Sequence, residues 1–453
     1  MKNKNFKNTL LISLLVLVGL LLFLTLSLLM LPRPTVSEQE RRDLAKFPEF
    51  TFESYIDGSF MRDLTAWFAD TVPFRDNIVE LSAFIGNLRG VRVDNVTFHG
   101  NVEQVAITTT TPVTTTAVTT TVPETPLLPG VITTAPPAEI ITETTPVTTE
   151  ATGDVEFDSN GIVTIGDRGV MLFGGNKGEG LHYANVMNAY KEAMGEAVNV
   201  YAMTVPTAVE FYLPKKYSEY SNPEKPQIDW IYENLNGVIG VDAYTEIAAH
   251  TSEDIYLKTD HHWSQLGAYY ASVAFAKALG ETPQSIEDYE RLEREGFVGS
   301  LYGYTNDINL KNNPEVFTYY KQNLPYKTYA YDCKTLEPLG ETVLYHEYAT
   351  LENSYGMFIG KDALHIRIVT ENTNGKKLCV FKDSFGNALI PELIPYFEEI
   401  YVIDIRFFGM SATEYMKNEG ITDILFLDNI FAANTYALIN GLETMLTKGY
   451  TLS

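Results

Sequence analysis

Val380-Phe381-Lys382-Asp383-Ser384-Phe385-Gly386-Asn387 passes from an apolar strand to a helix within three residues of a serine. In open α/β sheets, ligands bind beyond the carboxyl ends of parallel strands, which is where this reading puts Ser384. A helix that starts at the same point turns unpaired N–H groups toward it, which suits a developing oxyanion. The amides of Phe385 and Gly386 are the first candidates, and Gly386 would also ease a tight turn and close substrate approach. Read by itself, Asp-Ser-Phe-Gly serves equally well as a plain helix cap.

The neighbouring sequence decides that this strand is one of several. Val198–Thr204, Gly237–Val241, Leu378–Phe381, Glu399–Ile403 and Asp423–Leu427 all read as short buried strands. Helical patterns fall over Leu181–Met194, Ile228–Leu235, Ser264–Leu279, Asn387–Phe397 and Ala412–Glu419. Strands that alternate with helices imply an α/β fold, a mainly parallel sheet covered on both faces in three α/β/α layers. Residues 296–370 break the alternation and read as an irregular or antiparallel excursion.

Composition narrows the function. The 453 residues are 45% hydrophobic and 20% charged, which is globular composition. With 33 Lys and Arg against 58 Asp and Glu, the net charge is −25, which argues against a nucleic-acid partner and against a polybasic membrane patch. Two cysteines, Cys333 and Cys379, exclude a disulfide-stapled scaffold. They could form one bridge, but Cys379 lies in Leu378-Cys379-Val380-Phe381 and reads better as a buried free thiol.

Thr259-Asp260-His261-His262-Trp263-Ser264 concentrates two of the seven histidines beside a carboxylate and a tryptophan. An Asp-x-His pair in a loop allows the acid to orient the ring and stabilise its charged form. Ser264 reads as the cap of the helix that follows. Surface histidines at a helix entry are the plain alternative. A zinc site is the weaker reading, because adjacent side chains rarely share an ion and no His or Cys nearby has ligand spacing. No cofactor is called for.

Together, Asp-x-His-Trp and, over a hundred residues later, Asp-Ser-Phe after a strand resemble the alginate O-acetylation enzymes AlgJ and AlgX. The chain is still more similar to the bacterial DHHW proteins, whose name spells residues 260–263. Both groups fall in the SGNH (GDSL) hydrolase-like superfamily. The resemblance runs from about Phe47 to the C-terminus, minus a Thr-rich insert, and includes Phe68-Ala69-Asp70 and Pro73-Phe74-Arg75-Asp76. It implies Ser384 as nucleophile, His262 as base, Asp260 as its orienting acid and Asp383 as a structural acid. Since neighbours in an extended loop face opposite ways, His261 is expected to point away from Ser384.

Other strand ends supply further candidates. Arg406, in Asp404-Ile405-Arg406, could steady negative charge or simply pair with Asp404. Asn429 could donate to an oxyanion or be structural. Val205-Pro206-Thr207 and Phe297–Tyr302 are expected to line the cleft.

The N-terminal part reads differently. Residues 1–8 form a basic tail, and 9–31 an apolar run whose 23 residues at ~1.5 Å each match the ~30 Å bilayer core. No Ala-x-Ala site follows, so an uncleaved signal anchor is expected, with the C-terminal part outside the cytoplasm. Residues 32–104 read as a membrane-proximal helical segment packing on the main domain, with helices after Tyr55 and over 76–88. Residues 105–154 read as a disordered insert: 19 of the 45 residues from Thr108 to Thr152 are Thr and seven are Pro, too little apolar surface to fold. Residues 155–453 are the expected catalytic domain.

These readings leave three functions open. The first is an extracytoplasmic O-acyltransferase working on a cell-surface or exported polysaccharide. The resemblance implies that a membrane-bound O-acyltransferase partner delivers its acetyl group. The second is an esterase with the same residues, and the third an anchored, non-catalytic envelope-binding protein.

Overall fold

A computed structural model describes residues 31–37, 42–56, 58–75, 96–99 and 161–449. All of them belong to one compact unit. The expected membrane segment (Leu31 apart), the helix expected over 76–88 and the Thr-rich insert lie outside the described residues. Among those described, no helix is long and apolar enough to cross a membrane.

The central sheet has eight strands: β1 (Asn199–Val205), β2 (Ile239–Gly240), β3 (Tyr326–Asp332), β4 (Pro338–Thr342), β5 (Leu364–Thr370), β6 (Lys377–Lys382), β7 (Glu399–Asp404) and β8 (Asp423–Asn429). Their order is β4-β3-β5-β7-β6-β8-β1-β2. From β7 to β2 every pairing is parallel, whereas β5, β3 and β4 add on antiparallel. The sheet is therefore mixed, with four parallel and three antiparallel pairings. Its antiparallel part comes from the stretch that broke the alternation, since β3 and β4 are joined by a short turn and need no crossover helix.

Strands β6, β7 and β8 are buried nearly throughout because helices cover both faces of the sheet. On one face Tyr190, from the helix Lys177–Met194, packs on Phe381 and Phe426 with ring centroids 5.2 and 5.1 Å away. On the other, Phe275 of the helix Gln265–Leu279 lies 5.3 Å from Tyr201. Tyr201 is registered with Leu425, and Leu425 with Val380, so these three share that face.

Two elements differ from expectation. The stretch Gly237–Val241 contributes only the two-residue edge strand β2, hydrogen-bonded on one side, and Ile239 is exposed. The helix expected over Asn387–Phe397 is an α-turn, Gly386–Leu389, followed by a 3₁₀ turn, Ile390–Leu393. Pro391 lacks the N–H that would continue the α pattern. Ser264 caps its helix as expected, accepting from Gly267 N at 3.2 Å. Both cysteines are buried and free.

In the N-terminal part, the helix Ser59–Asp70 ends just before Thr71, close to the break expected at Pro73. Its Trp67 packs edge-on against Phe47 at 4.8 Å and beneath Arg33 at 4.4 Å.

Candidate functional site

The carboxyl ends of β6, β7 and β8 lie side by side, which gathers Ser384, Arg406 and Asn429 at one edge of the sheet. The loop between Ile255 and Ser264 reaches the same edge. It is pinned at its base by Leu257 N to His262 O, 3.2 Å, and by Ser264 N to Ile255 O, 3.0 Å. Across this junction His262 Nδ1 lies 2.6 Å from Asp260 Oδ1, and His262 Nε2 lies 2.8 Å from Ser384 Oγ. Asp260 is 1% exposed and His262 7%, while Ser384 is half-buried.

Several partners hold this chain of hydrogen bonds in place. Ser300 N donates to Asp260 Oδ2 at 2.8 Å, so both carboxylate oxygens are used. Burial would raise the Asp260 carboxyl, but the charge and hydrogen bond of His262, with His261 and the Ser300 amide, hold it well below the usual range. The His262 ring stacks on Tyr355, with centroids 3.8 Å apart and planes 8° apart. Tyr355 Oη and Trp263 Nε1 both donate to Phe385 O, at 3.0 and 2.8 Å, which fixes the residue after Ser384. Glu315 accepts from Lys258 N, Thr259 N and Thr259 Oγ1, which anchors the histidine loop.

Gly299 makes this packing possible. A Cβ there would fall 2.3 Å from Asp260 Cβ and 2.7 Å from its Oδ2. Gly386 has a similar role toward the protein interior: its Cβ would lie 2.6 Å from Lys382 Cβ. Room for Lys382, rather than close substrate approach, accounts for that glycine.

The other candidates separate clearly. The Phe385 amide donates to Asp383 Oδ1 at 2.7 Å and the Gly386 amide to Asp383 O at 3.2 Å. Both are spent within the turn. The Ser384 amide and Asn429 Nδ2 donate no hydrogen bond among the described residues, and both residues line the cleft. Asp383 joins two strand ends, since its Oδ2 accepts from Asn429 N at 2.9 Å. Burial raises its carboxyl, against the pull of these two amides. Arg406 forms the Asp–Arg pair: Nε to Asp404 Oδ1 at 2.8 Å, Nη2 to Asp404 Oδ2 at 2.7 Å and to Asp362 Oδ2 at 2.9 Å. The same two carboxylates hold the buried Lys382, at 2.7 and 3.1 Å.

His261 does not point away. The loop turns instead of extending, so its ring lies 3.8 Å from that of His262 and borders the same cleft. Its Nδ1 meets Ser300 Oγ at 2.6 Å. Ligand atoms of Asp260, His261 and His262 lie within 4.8 Å of one another, close enough for a cation. Binding one through His262 would compete with its contacts to Asp260 and Ser384.

Thr207 lines the cleft as expected, but Val205, Pro206 and the Phe297–Tyr302 stretch do not. That stretch instead supplies Gly299 and Ser300 behind Asp260. Sequence reasoning did not find Glu315, Tyr355, Val170 or Met171. Their segments carry no motif, and only strand pairing and loop packing bring them to the sheet edge.

A family model described as "DHHW protein" matches residues 40–109 and 132–403. The chain belongs to the DHHW family. A DHHW family protein from Eubacterium siraeum is 38% identical, with a TM-score of 0.59 over 64% of this chain and 95% of its own. PatB1 from Bacillus cereus, solved with a sulfonyl adduct, is 20% identical, with a TM-score of 0.53 over 61% of this chain and 97% of its own. The O-acetyltransferase domain of Pseudomonas putida AlgJ follows at 14% identity and a TM-score of 0.35, over 60% and 93%. No curated protein matches the chain. The mixed-sheet α/β fold is thus one shared with PatB1.

Proposed function

We propose that this DHHW protein is a serine-dependent O-acyltransferase that modifies a cell-surface or exported polysaccharide. The observation that carries the reading is the 2.8 Å contact of His262 Nε2 with Ser384 Oγ, backed by Asp260 at 2.6 Å. A hydroxyl is a weak nucleophile until an adjacent base takes its proton, and the base needs an acid to hold its tautomer and stabilise its charge.

In the first half-reaction Ser384 Oγ attacks the carbonyl carbon of the donor while its proton passes to His262 Nε2. The Ser384 amide and Asn429 Nδ2, at the cleft and without another bond among the described residues, would donate to the resulting oxyanion. The tetrahedral species collapses as the donor's leaving group departs with the proton from His262, which leaves an acyl ester on Ser384. In the second, a saccharide hydroxyl gives its proton to His262 and attacks that ester. His262 then returns the proton to Ser384 Oγ, and the acylated saccharide leaves.

On this reading the apolar run 9–31 anchors the chain with its catalytic part outside the cytoplasm. A membrane-bound O-acyltransferase would supply the acyl group. The test uses the full chain in detergent with an aryl acetate, with and without candidate glycans, against Ser384→Ala. Glycan acetylation that requires Ser384 supports transfer. Release of aryl alcohol without glycan acetylation would make the protein an esterase. Folded protein that neither turns over nor forms an acyl-enzyme would make it a binding protein and overturn both.

A further inference from the structure

The cleft at Ser384 encloses about 220 Å³, and most of what it offers a ligand is carbon. Val170, Met171, Ala208, Phe431, Ala432 and Leu438 all line it. Polar side chains line it too, but most are already bonded to protein. Thr207 Oγ1 donates to Glu224 at 2.6 Å and Thr435 Oγ1 to Phe431 O at 2.7 Å. Both Asp383 oxygens accept backbone amides, and Arg406 is clamped by Asp404 and Asp362.

A saccharide carries a hydroxyl on nearly every carbon, and burying one without a partner costs more than contact with carbon returns. An aliphatic chain needs no such partners, and each methylene it buries strengthens binding roughly fourfold. We infer that this cleft is an acyl pocket shaped for a straight aliphatic group longer than acetyl, with the saccharide kept outside it. The inference rests on the acyl-transfer reading of Ser384 and adds the class of acyl group to it.

Binding to Ser384→Ala tests the pocket apart from the chemistry. The full chain in detergent, referenced to empty micelles, is titrated calorimetrically with p-nitrophenyl acetate, butanoate and hexanoate. Affinity should rise by roughly fourfold per methylene until the cleft is filled. Adding Ala208→Leu should remove most of that rise, and Ala432→Leu does the same work if the first variant fails to keep its thermal midpoint. Affinity that is flat or falls with chain length would overturn the acyl pocket, even if the wild-type chain transfers acetyl. So would a rise that neither leucine variant diminishes. The proposed catalytic function fails separately, through the absence of an acyl-enzyme on Ser384 in the wild-type chain.

Discussion

Ser300 donates its backbone N–H to Asp260 Oδ2 at 2.8 Å, although forty residues separate them in the chain. The bond satisfies one carboxylate oxygen and leaves the other to His262 Nδ1. It also explains why Gly299 precedes Ser300, because the Asp260 side chain fills the space where a Cβ would stand. A second segment of chain therefore fixes the position of the acid behind the histidine and adds to the pull of His262 that keeps it charged.

The two adjacent histidines should respond unequally to truncation. His262→Ala removes the group between Asp260 and Ser384 and should lower acyl transfer by ~10²–10⁴-fold, the range for loss of a general base. His261→Ala removes the Ser300 Oγ contact and a ring beside His262, and should cost much less. Steady-state rates on an aryl acetate, with matched thermal midpoints, decide this. Equal losses would contradict the assignment and give both rings a part in proton transfer or metal binding.

Gly299→Ala should be damaging for a steric reason. Its new methyl would lie 2.3 Å from Asp260 Cβ, so either the loop or the carboxylate must move. Overpacking of this kind costs ~1–3 kcal/mol. Denaturant unfolding should register that loss, and acylation of Ser384 should fall with it. A variant with unchanged stability and activity would show that the loop gives way freely.

Lys382→Met should destabilise the sheet edge. Its side chain is 1% exposed, and the ammonium sits between Asp404 and Asp362. Removing one member of a buried ion pair typically costs 3–5 kcal/mol, because the partner, here Asp404 at 1% exposed, stays buried. Arg406 still faces both carboxylates, so the loss should fall toward the lower end, about 3 kcal/mol. Urea denaturation measures it, and a change below about 1 kcal/mol would show that Arg406 suffices alone.

Glu224 should make stability fall with rising pH. Burial pushes its carboxyl up to about 8, against the opposing hydrogen bonds from Thr207, while the Glu210 carboxylate nearby raises it further. In the unfolded chain a glutamate titrates near ~4.3. Its contribution is fully present below that value, declines as pH rises, and is gone above about 8. The thermal midpoint should therefore drop between pH 5 and pH 8.5, and Glu224→Gln should reduce the drop. Some slope should remain, since burial also lifts Glu392 to about 7. An unaltered slope in the Gln variant would show that Glu224 stays ionised in the fold.

The order of strands and helices was legible from the sequence because burial on both faces leaves an apolar imprint on β1, β6, β7 and β8, residue by residue. The place of Ser384, at the end of one such strand, follows from the same local pattern. A DHHW string marked the histidine loop, and its spacing from Asp-Ser-Phe suggested the resemblance that pairs them. None of these signals carries partner identity across the chain.

Partner identity was decided by tertiary structure. Strand order brings Asp404, Asp362 and Lys382 around Arg406, which turns a candidate charge-stabilising residue into a member of a partly buried ionic group. The turn after β6 uses up the Phe385 and Gly386 amides and leaves the Ser384 amide and Asn429 Nδ2 with no bond among the described residues. Residues 299–358, which break the strand–helix rhythm, hold the histidine loop through Ser300, Glu315 and Tyr355. Sequence by itself determined which side chains the strand ends and the histidine loop carry, since periodicity and turn chemistry act over a few neighbours. Which of those side chains meet depended on how distant segments pack, because a buried polar group must find its partner wherever the fold provides one.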